Sequence, residues 1–175
     1  MKTFIFLILF ILPGPGWGQE VKCKIKADEF TKDTSIVCDD IKFGKSKRDL
    51  TRGLLFIRGG MYTFKSLFIL NLIPEFYSVQ SFDEGDIVYL KFEDSTVLQL
   101  KVFQYSLSDH KSGEIITQGS DNTIWYNYLT FVLKPQDIMT LELKKVEKIR
   151  CGHVDYSINK KDLILKMIRC IKEKK

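Results

Sequence analysis

The sequence predicts a mainly β fold: a β-rich α+β domain, built as an antiparallel sandwich or a strongly bent sheet. Many short segments alternate apolar and polar residues, which is typical of strands with one solvated face. Helical patterns appear only near the C-terminus. No crossover helices separate the early strands, although parallel pairing would need them.

The first half of the chain is predicted to be strands. In VKCKIKADEF, Val21, Cys23 and Ile25 alternate with lysines, and TSIVCDDIKF is the expected partner across a short turn. The segment RGLLFIRGGMYTFKSLFILNLIP is apolar on both faces and contains Gly59-Gly60. Because a Gly-Gly pair is a common turn signal, we expect two strands joined by a tight turn at this pair.

The second half begins with the clearest hairpin pattern. DIVYLKFEDSTVLQLKVFQYSL alternates on both sides of a turn at Glu93 to Ser95. GEIITQG is a predicted short strand between glycines. NTIWYNYLTFVL is rich in aromatic and β-branched residues, and we expect one long strand there.

Two helices are predicted after these strands. Pro135 and Asp137 are helix-start signals and predict a short helix near 135–143. VEKIRC then returns to strand character. A second helix is predicted near 160–172, capped by Asn159, with Cys170 on the rim of its apolar stripe. The stripe consists of Leu163, Ile164, Met167, Ile168 and Ile171.

The first residues, MKTFIFLILFILPGPGWGQE, have the layout of a cleavable secretory signal. One lysine precedes an apolar run of 9 residues, Phe4 to Leu12, which is too short to span a bilayer. We therefore expect a signal peptide at residues 1–18. Residues 19–175 should form a single β-rich globular domain that is exported, periplasmic or extracellular, with no stable membrane anchor.

The charge argues against one class of partner. The chain has 27 Lys and Arg against 22 Asp and Glu, and without the one lysine of the signal the balance is 26 − 22 = +4. Except near the C-terminus, the basic residues are interleaved with acids. Nucleic-acid binders usually concentrate them on one face, so we expect no nucleic-acid partner.

The cysteines indicate disulfides. The chain has four, Cys23, Cys38, Cys151 and Cys170, and no CxxC motif. An even count in an exported chain favours disulfide bonds, and three pairings are possible. We expect Cys23–Cys38 and Cys151–Cys170, because each pair lies within one local unit. The zinc alternative lacks the usual ligand spacing.

Two groups of residues invite a catalytic interpretation. One is a polar loop with Ser106, Ser108, Asp109 and His110. Residues this close in sequence rarely form a nucleophile–base relay, and no GxSxG elbow is present, so a solvated turn is preferred. The other is Cys151 with His153, for which a structural disulfide is preferred. No catalytic residue, metal site or cofactor is predicted.

The aromatic strand is the candidate binding element. Trp125, Tyr126 and Tyr128 crowd one short segment. If the tyrosines shared an exposed face, they could stack on sugar rings or contact a protein partner. The alternative is that this strand is central and covered on both sides, since both of its faces are apolar. The exposure of these side chains decides between a possible binding platform and core.

The C-terminal third resembles uncharacterised secreted β-rich proteins of the Bacteroidetes. The segments that carry the resemblance are LKPQDIMTLEL, VEKIRC and NKKDLILKMIRCI. They correspond to a short helix, a strand and a final amphipathic helix. The resemblance brings no known catalytic residues, so no residue role is carried over to this chain.

The sequence therefore favours an exported non-enzymatic protein that acts as a macromolecular interaction module, with another protein or a glycan as partner. A small-ligand or glycan binder using the aromatic strand is the first alternative. An unrecognised hydrolase is the second, and it would need a pocket that unites His153 with carboxylates.

Overall fold

The computed structural model describes residues 21–29, 33–47, 53–110 and 123–175. The expected signal peptide and the expected strand GEIITQG lie outside these residues. The described chain forms thirteen strands and two helices. The strands are β1 (Cys23–Ala27), β2 (Thr34–Ser46), β3 (Phe56–Phe64), β4 (Leu67–Phe76), β5 (Ser81–Phe82), β6 (Ile87–Phe92), β7 (Val97–Lys101), β8 (Ser106–Leu107), β9 (Asp109–His110), β10 (Trp125–Tyr126), β11 (Leu129–Leu133), β12 (Val146–Cys151) and β13 (Val154–Ile158). The helices are α1 (Pro135–Leu143) and α2 (Leu163–Lys174).

Eleven of the strands form one antiparallel sheet. Its order is β7-β6-β12-β13-β2-β3-β4-β10-β9, with β1 paired to β2 and β11 paired to β4. β5 and β8 form a separate two-stranded sheet. The mainly β, antiparallel fold with two late helices is confirmed.

The long strand β2 pairs with three other strands. Its first half pairs with β1, and its last residues pair with β13. The register against β3 shifts at two places along β2, and such bulges increase the local twist. Distant parts of the sheet also meet. The backbone N–H of Phe103, just after β7, donates to the carbonyl of Thr130 in β11 at 2.8 Å.

Gly59 and Gly60 lie in the middle of β3, so the predicted turn at this pair is wrong. A Cβ atom at Gly59 would lie 2.5 Å from the carbonyl oxygen of Asn71, and one at Gly60 would lie 2.5 Å from the carboxylate of Asp40. These glycines allow close approach of neighbouring strands, which is the other common role of glycine in a sheet.

The chain reverses between β3 and β4 at Lys65 and Ser66. Their φ angles are 45° and 67°, the left-handed values that a two-residue hairpin turn favours. Neither residue is Gly, Asn or Asp, so the usual turn signal is missing from the sequence. Eight consecutive cross-strand pairs, from Ile57 with Pro74 to Phe64 with Leu67, hold the hairpin in register.

The large sheet has two faces of different character. On the inner face, alternate residues of β3, β4 and β11 join the helices in one hydrophobic core. Met61, Leu70 and Phe131 are examples of fully buried side chains there. The residues between them form the outer face, which points away from the core, and several of them are only half-buried.

The first helix begins as predicted. Lys134 is the N-cap residue and Pro135 is the first helical residue. The carboxylate of Asp137 accepts a hydrogen bond from the backbone N–H of Lys134 at 3.0 Å. This bond satisfies a donor that the start of a helix would otherwise leave without a partner.

The second helix begins later than predicted. Asp162 is its N-cap residue instead of Asn159, and the ammonium of Lys166 lies 2.7 Å from the Asp162 carboxylate. All five residues of the predicted apolar stripe are buried, which confirms the docked face. Neither α1 nor α2, the helices in the described part of the chain, is long and apolar enough to cross a membrane.

Asn127 divides the predicted aromatic strand into β10 and β11. Its side chain is fully buried, with the amide nitrogen 3.2 Å from the carbonyl oxygen of Ser106. Its Oδ1 accepts a hydrogen bond from the Ser108 hydroxyl at 2.7 Å. Buried amides need such partners, so this network explains why the chain leaves the strand at this residue.

The predicted disulfide between Cys23 and Cys38 is confirmed. The two residues are direct partners in the register of β1 and β2, and their Cα atoms are 4.2 Å apart. The bond therefore joins the two strands of a hairpin, as the sequence pattern indicated.

The predicted Cys151–Cys170 disulfide is wrong, because both cysteines are free thiols. The start of β12 lies close to the start of α2, since the N–H of Val146 donates to the carbonyl of Lys161. From there the strand and the helix run to different parts of the core. Cys151 ends in the interior, and Cys170 reaches β1 and β2 instead.

Candidate functional site

The outer face of the large sheet is the candidate site. Cross-strand register places its residues side by side on β3, β4, β10 and β11. Most are aromatic or aliphatic, and polar groups lie among them. The strand residues that define this face are Phe56, Arg58, Tyr62, Ile69, Asn71, Ile73, Glu75, Tyr126 and Val132. Tyr128, between β10 and β11, joins them through its ring contact with Tyr126.

The structure separates the three residues of the predicted platform. Tyr126 is paired with Glu75 and therefore lies on the outer face, and the ring of Tyr128 is next to it. Trp125 is paired with Phe76, whose side chain is in the core. Because side chains alternate along a strand, Trp125 points to the opposite side of the sheet from Tyr126.

Trp125 belongs to a different local cluster. It is half-buried and faces His110 across the β9–β10 pair, with the two ring centroids 5.6 Å apart in an edge-to-face arrangement. Such a geometry is favourable for aromatic rings. Trp125 therefore helps to hold the β9 edge of the sheet.

The two tyrosines form an aromatic pair in which Tyr128 is exposed and Tyr126 is half-buried. The ring centroids of Tyr126 and Tyr128 are 5.5 Å apart and nearly perpendicular, and Tyr128 is 56% exposed. The Tyr126 hydroxyl donates to the carboxylate of Asp109 at 3.3 Å. Partial burial and the neighbouring negative charge of Asp109 raise the pKa of Tyr126, so it remains a neutral donor at physiological pH.

Two polar groups in the centre of the outer face lack hydrogen-bond partners among the described residues. They are Nε of Arg58 and Oδ1 of Asn71, and both atoms are buried. Arg58 is paired with Ile73, and Asn71 is the next outer-face residue along β4. A buried donor or acceptor without a partner costs about 1–3 kcal/mol. A bound molecule that hydrogen-bonded to them would recover part of this cost.

Lysines border the outer face along β1 and β2. Lys24 and Lys26 lie on the same side of the sheet as Tyr62, through the register of β1, β2 and β3. Lys42 is paired with Arg58, and its ammonium is 3.1 Å from the centroid of the Phe56 ring. A cation over an aromatic ring is attracted to it. Two carboxylates lie among these lysines, because Asp39 forms an ion pair with Lys24 at 3.3 Å and the Asp40 carboxylate lies over Gly60. This side of the outer face therefore carries charges of both signs beside its aromatic rings.

The polar loop with His110 is structural. Ser106 is buried, and the Ser108 hydroxyl lies 2.9 Å from the Gln80 carbonyl oxygen in addition to its contact with Asn127. His110 is exposed, with Nδ1 3.7 Å from a carboxylate oxygen of Asp109. Neither serine hydroxyl is directed to the imidazole by a hydrogen bond in the described structure, so the loop contains no serine–histidine relay.

The Cys151–His153 pair does not form a reactive site either. Cys151 is fully buried, and this burial raises the pKa of its thiol, which opposes formation of the nucleophilic thiolate. His153 lies on the other side of a turn at Gly152, where its ring centroid is 6.3 Å from that of Phe76. Burial therefore opposes a nucleophilic role for this thiol.

His153 and a carboxylate do share an open cavity of about 420 Å³. Ser46 and Asp155 line it with His153. However, the Ser46 hydroxyl donates to the carbonyl of Lys47, and the Asp155 carboxylate is held by the guanidinium of Arg150. That ion pair lowers the pKa of Asp155. Ser46 and Asp155 therefore have other partners, and in the described structure neither is hydrogen-bonded to His153 in a nucleophile–base–acid chain.

Sequence reasoning missed Arg58 and Asn71. The turn expected at Gly59-Gly60 would have cut β3 in two, which hid the alternation of Phe56, Arg58 and Tyr62 along one face. A strict period of two through the glycines would have revealed it. In comparisons with protein-family models, curated proteins and solved structures, none matches this chain.

Proposed function

We propose that the protein is an exported, non-enzymatic interaction module that binds another protein through the outer face of its large sheet. The proposal of export rests on the signal-like residues 1–18, together with the Cys23–Cys38 disulfide, a bond that persists in oxidising compartments. The outer face supplies the proposed binding surface.

The observation that carries this proposal is the composition of the outer face. It combines exposed and half-buried aromatic side chains with an arginine and an asparagine that have buried polar atoms without partners. Tyrosine and arginine dominate the energetically important centres of protein interfaces. Lys26 on β1 and Lys42 on β2 add a charge preference at this border, because their ammonium groups would attract a partner with an acidic rim.

Site-specific photo-cross-linking in the cells that produce the protein tests this function. We replace Tyr128 with the photoreactive residue p-benzoylphenylalanine, which is similar in size and aromatic character. The matched control carries the same residue in place of Met139, which is 62% exposed on α1 and lies away from the outer face. A discrete adduct at position 128, absent at position 139, is the expected result.

The adduct must also depend on the outer face. Arg58→Ala in the Tyr128 cross-linking variant should reduce the adduct about tenfold, the effect of a residue worth roughly 1.4 kcal/mol in an interface. Met139→Ala in the same background should leave it unchanged. Equal labelling at positions 128 and 139, or no effect of Arg58→Ala, would contradict the assignment of this face. A hydrolase activity of the purified protein that is lost in His153→Ala would contradict the non-enzymatic proposal.

A glycan ligand is the second candidate, favoured by the Tyr126–Tyr128 pair with Asp109 beside it. Aromatic rings stack on the apolar faces of sugars, while a carboxylate accepts hydrogen bonds from sugar hydroxyls. Titration with an oligosaccharide panel, followed by tyrosine fluorescence or calorimetry, is the test. Binding that falls about tenfold in Tyr128→Ala and is retained in Met139→Ala would favour this candidate over a protein partner.

A further inference from the structure

Three sulfur atoms meet where α2 packs against β1 and β2. The Sγ atoms of Cys23, Cys38 and Cys170 all lie within 4.8 Å of one another. Cys23 and Cys38 are bonded, whereas Cys170 is a free and partly accessible thiol. Thiol–disulfide exchange begins from this arrangement, because a free sulfur must approach one sulfur of an existing bond.

The fold, and not sequence proximity, holds the third sulfur in place. Sγ of Cys170 is 4.0 Å from the carbonyl oxygen of Val21, just before β1. Sγ of Cys38 is 3.8 Å from the carbonyl oxygen of Met167 on α2. Met167 precedes Cys170 by three residues and so lies on the same side of the helix. The docked face of α2 therefore contacts the disulfide directly.

We propose that Cys23, Cys38 and Cys170 form an intramolecular thiol–disulfide exchange site in which Cys170 is the nucleophile. The Cys170 thiol loses its proton to solvent, and the thiolate attacks Sγ of Cys23 or Cys38. The Cys23–Cys38 bond breaks as the new bond forms, and the displaced sulfur leaves as a thiolate that takes up a proton. One disulfide and one thiol are present before and after, so no oxidant or reductant is consumed.

Exchange changes which elements are linked. In the described state the bond joins the two strands of the β1–β2 hairpin. After exchange it joins α2 to one of these strands and leaves the other cysteine as the free thiol. The C-terminal helix would then be fastened covalently to the sheet, and it could no longer separate from the core without reduction.

Cys151 provides the internal control. It is also a free thiol, but it is completely buried, and this burial raises its pKa. It should remain protonated and unreactive in the folded protein. Cys170, by contrast, should be alkylated by iodoacetamide at least about tenfold faster than Cys151.

Disulfide mapping tests the proposal on the full chain as exported. The unreduced protein is incubated at pH 8.5, quenched with acid, alkylated, digested and analysed by mass spectrometry. We expect the Cys23–Cys38 peptide together with peptides that link Cys170 to Cys23 or to Cys38. Cys151→Ala should give the same peptides, whereas Cys170→Ala should give only Cys23–Cys38. Both variants retain the native disulfide, so their folding does not depend on the exchange.

Removing one native partner gives a second, independent measurement. In Cys23→Ser oxidised with glutathione disulfide, which accepts the two electrons and is reduced to glutathione, we expect Cys38 to pair with Cys170, and Cys151 to remain alkylatable. Wild-type protein that yields no peptide linked to Cys170 would overturn the proposal. So would a Cys170-linked peptide in which the partner is Cys151, because the link would then form in unfolded chains. Native circular dichroism of the sample before digestion excludes unfolding as the source of the products.

Discussion

Replacing Gly59 with alanine should destabilise the protein by about 2 kcal/mol. The added Cβ would lie 2.5 Å from the carbonyl oxygen of Asn71 and 2.8 Å from the ring of Phe43, with a methyl group of Leu72 at 3.1 Å. Overpacking of a core costs about 1–3 kcal/mol, and the upper part of this range applies because a backbone oxygen cannot rotate away. Alanine also restricts the unfolded chain, which returns about 0.4–1 kcal/mol.

Urea unfolding followed by far-UV circular dichroism measures this difference. In thermal unfolding, the same loss of about 2 kcal/mol should lower the Tm by roughly 4–8 °C for a domain of this size. Gly85→Ala is the matched control, because Gly85 has a φ of +92° and no atom within 4 Å of the added Cβ. Gly85→Ala should lower the free energy of unfolding by about 1 kcal/mol through backbone strain alone, without a steric contact. An unchanged urea midpoint for Gly59→Ala would refute the close approach of β3 and β4.

Three further predictions concern single interactions. Tyr156→Phe should cost about 1–2 kcal/mol in urea unfolding, because its buried hydroxyl donates to a backbone carbonyl of β4. Asp94→Asn should reduce the loss of stability in acid. The hydrogen bond from Lys144 is the main cause that holds the pKa of Asp94 at about 2. The stabilising contribution of the Asp94 carboxylate is therefore present above pH roughly 4 and is lost as the pH falls through about 2. The double variant Cys23→Ala/Cys38→Ala should lower the free energy of unfolding by about 3 kcal/mol, since the bond closes a loop with a sequence separation of 15.

Each of these has its own control. Tyr89→Phe should change the free energy of unfolding by less than about 0.5 kcal/mol, since Tyr89 is exposed. An equal loss in Tyr89→Phe and Tyr156→Phe would contradict the prediction for the Tyr156 hydroxyl. Lys144→Met removes the main cause of the lowered pKa of Asp94 and should change the acid profile in the same way, so a wild-type profile in that variant would disprove the effect of Lys144 on Asp94. Cys151→Ala controls for cysteine replacement without loss of a bond. A double variant as stable as wild type would contradict the third prediction.

The elements that sequence predicted well are those governed by local rules. Pro135 and Asp137 start α1 where expected, because fixed φ and a carboxylate at the first turn act within a few residues. The apolar stripe of α2 is buried as predicted, since helical periodicity alone defines it. Cys23 and Cys38 pair because alternation in both strands already placed them in one hairpin.

The features that sequence could not predict depend on distant contacts. The Gly59-Gly60 pair is a typical turn sequence, but Gly59 instead allows β3 to pack closely against β4. Only the tertiary arrangement shows this role. Asn127 interrupts an apparently continuous strand because its amide bonds to Ser106 of β8 and to Ser108, which follows β8. Cys170 was expected on the helix rim and is there, but its neighbour is the Cys23–Cys38 bond, because α2 docks on β1 and β2.

The outer face illustrates the same limit. The sequence left open whether Tyr126 and Tyr128 share an exposed face; their rings are neighbours, with Tyr128 exposed and Tyr126 half-buried. It grouped Trp125 with them, although alternation places that ring on the opposite side. Arg58 lies on β3 and Asn71 on β4, and only the register between these two strands shows that both side chains lie on the outer face. A surface that several strands build can be predicted only when the order of those strands in the sheet is known.

The hairpin of β3 and β4 also has a consequence for the order of folding. Its eight pairs are closed by a turn of two residues, so the entropy lost in bringing its strands together is small. Hairpins of this kind form in about 1–10 μs. The pairing of β2 with β13 instead joins residues 44–46 to residues 156–158, and it must wait for most of the chain. We therefore expect the β3–β4 hairpin to be the template on which β2 and β11 assemble, with the C-terminal elements closing the fold last.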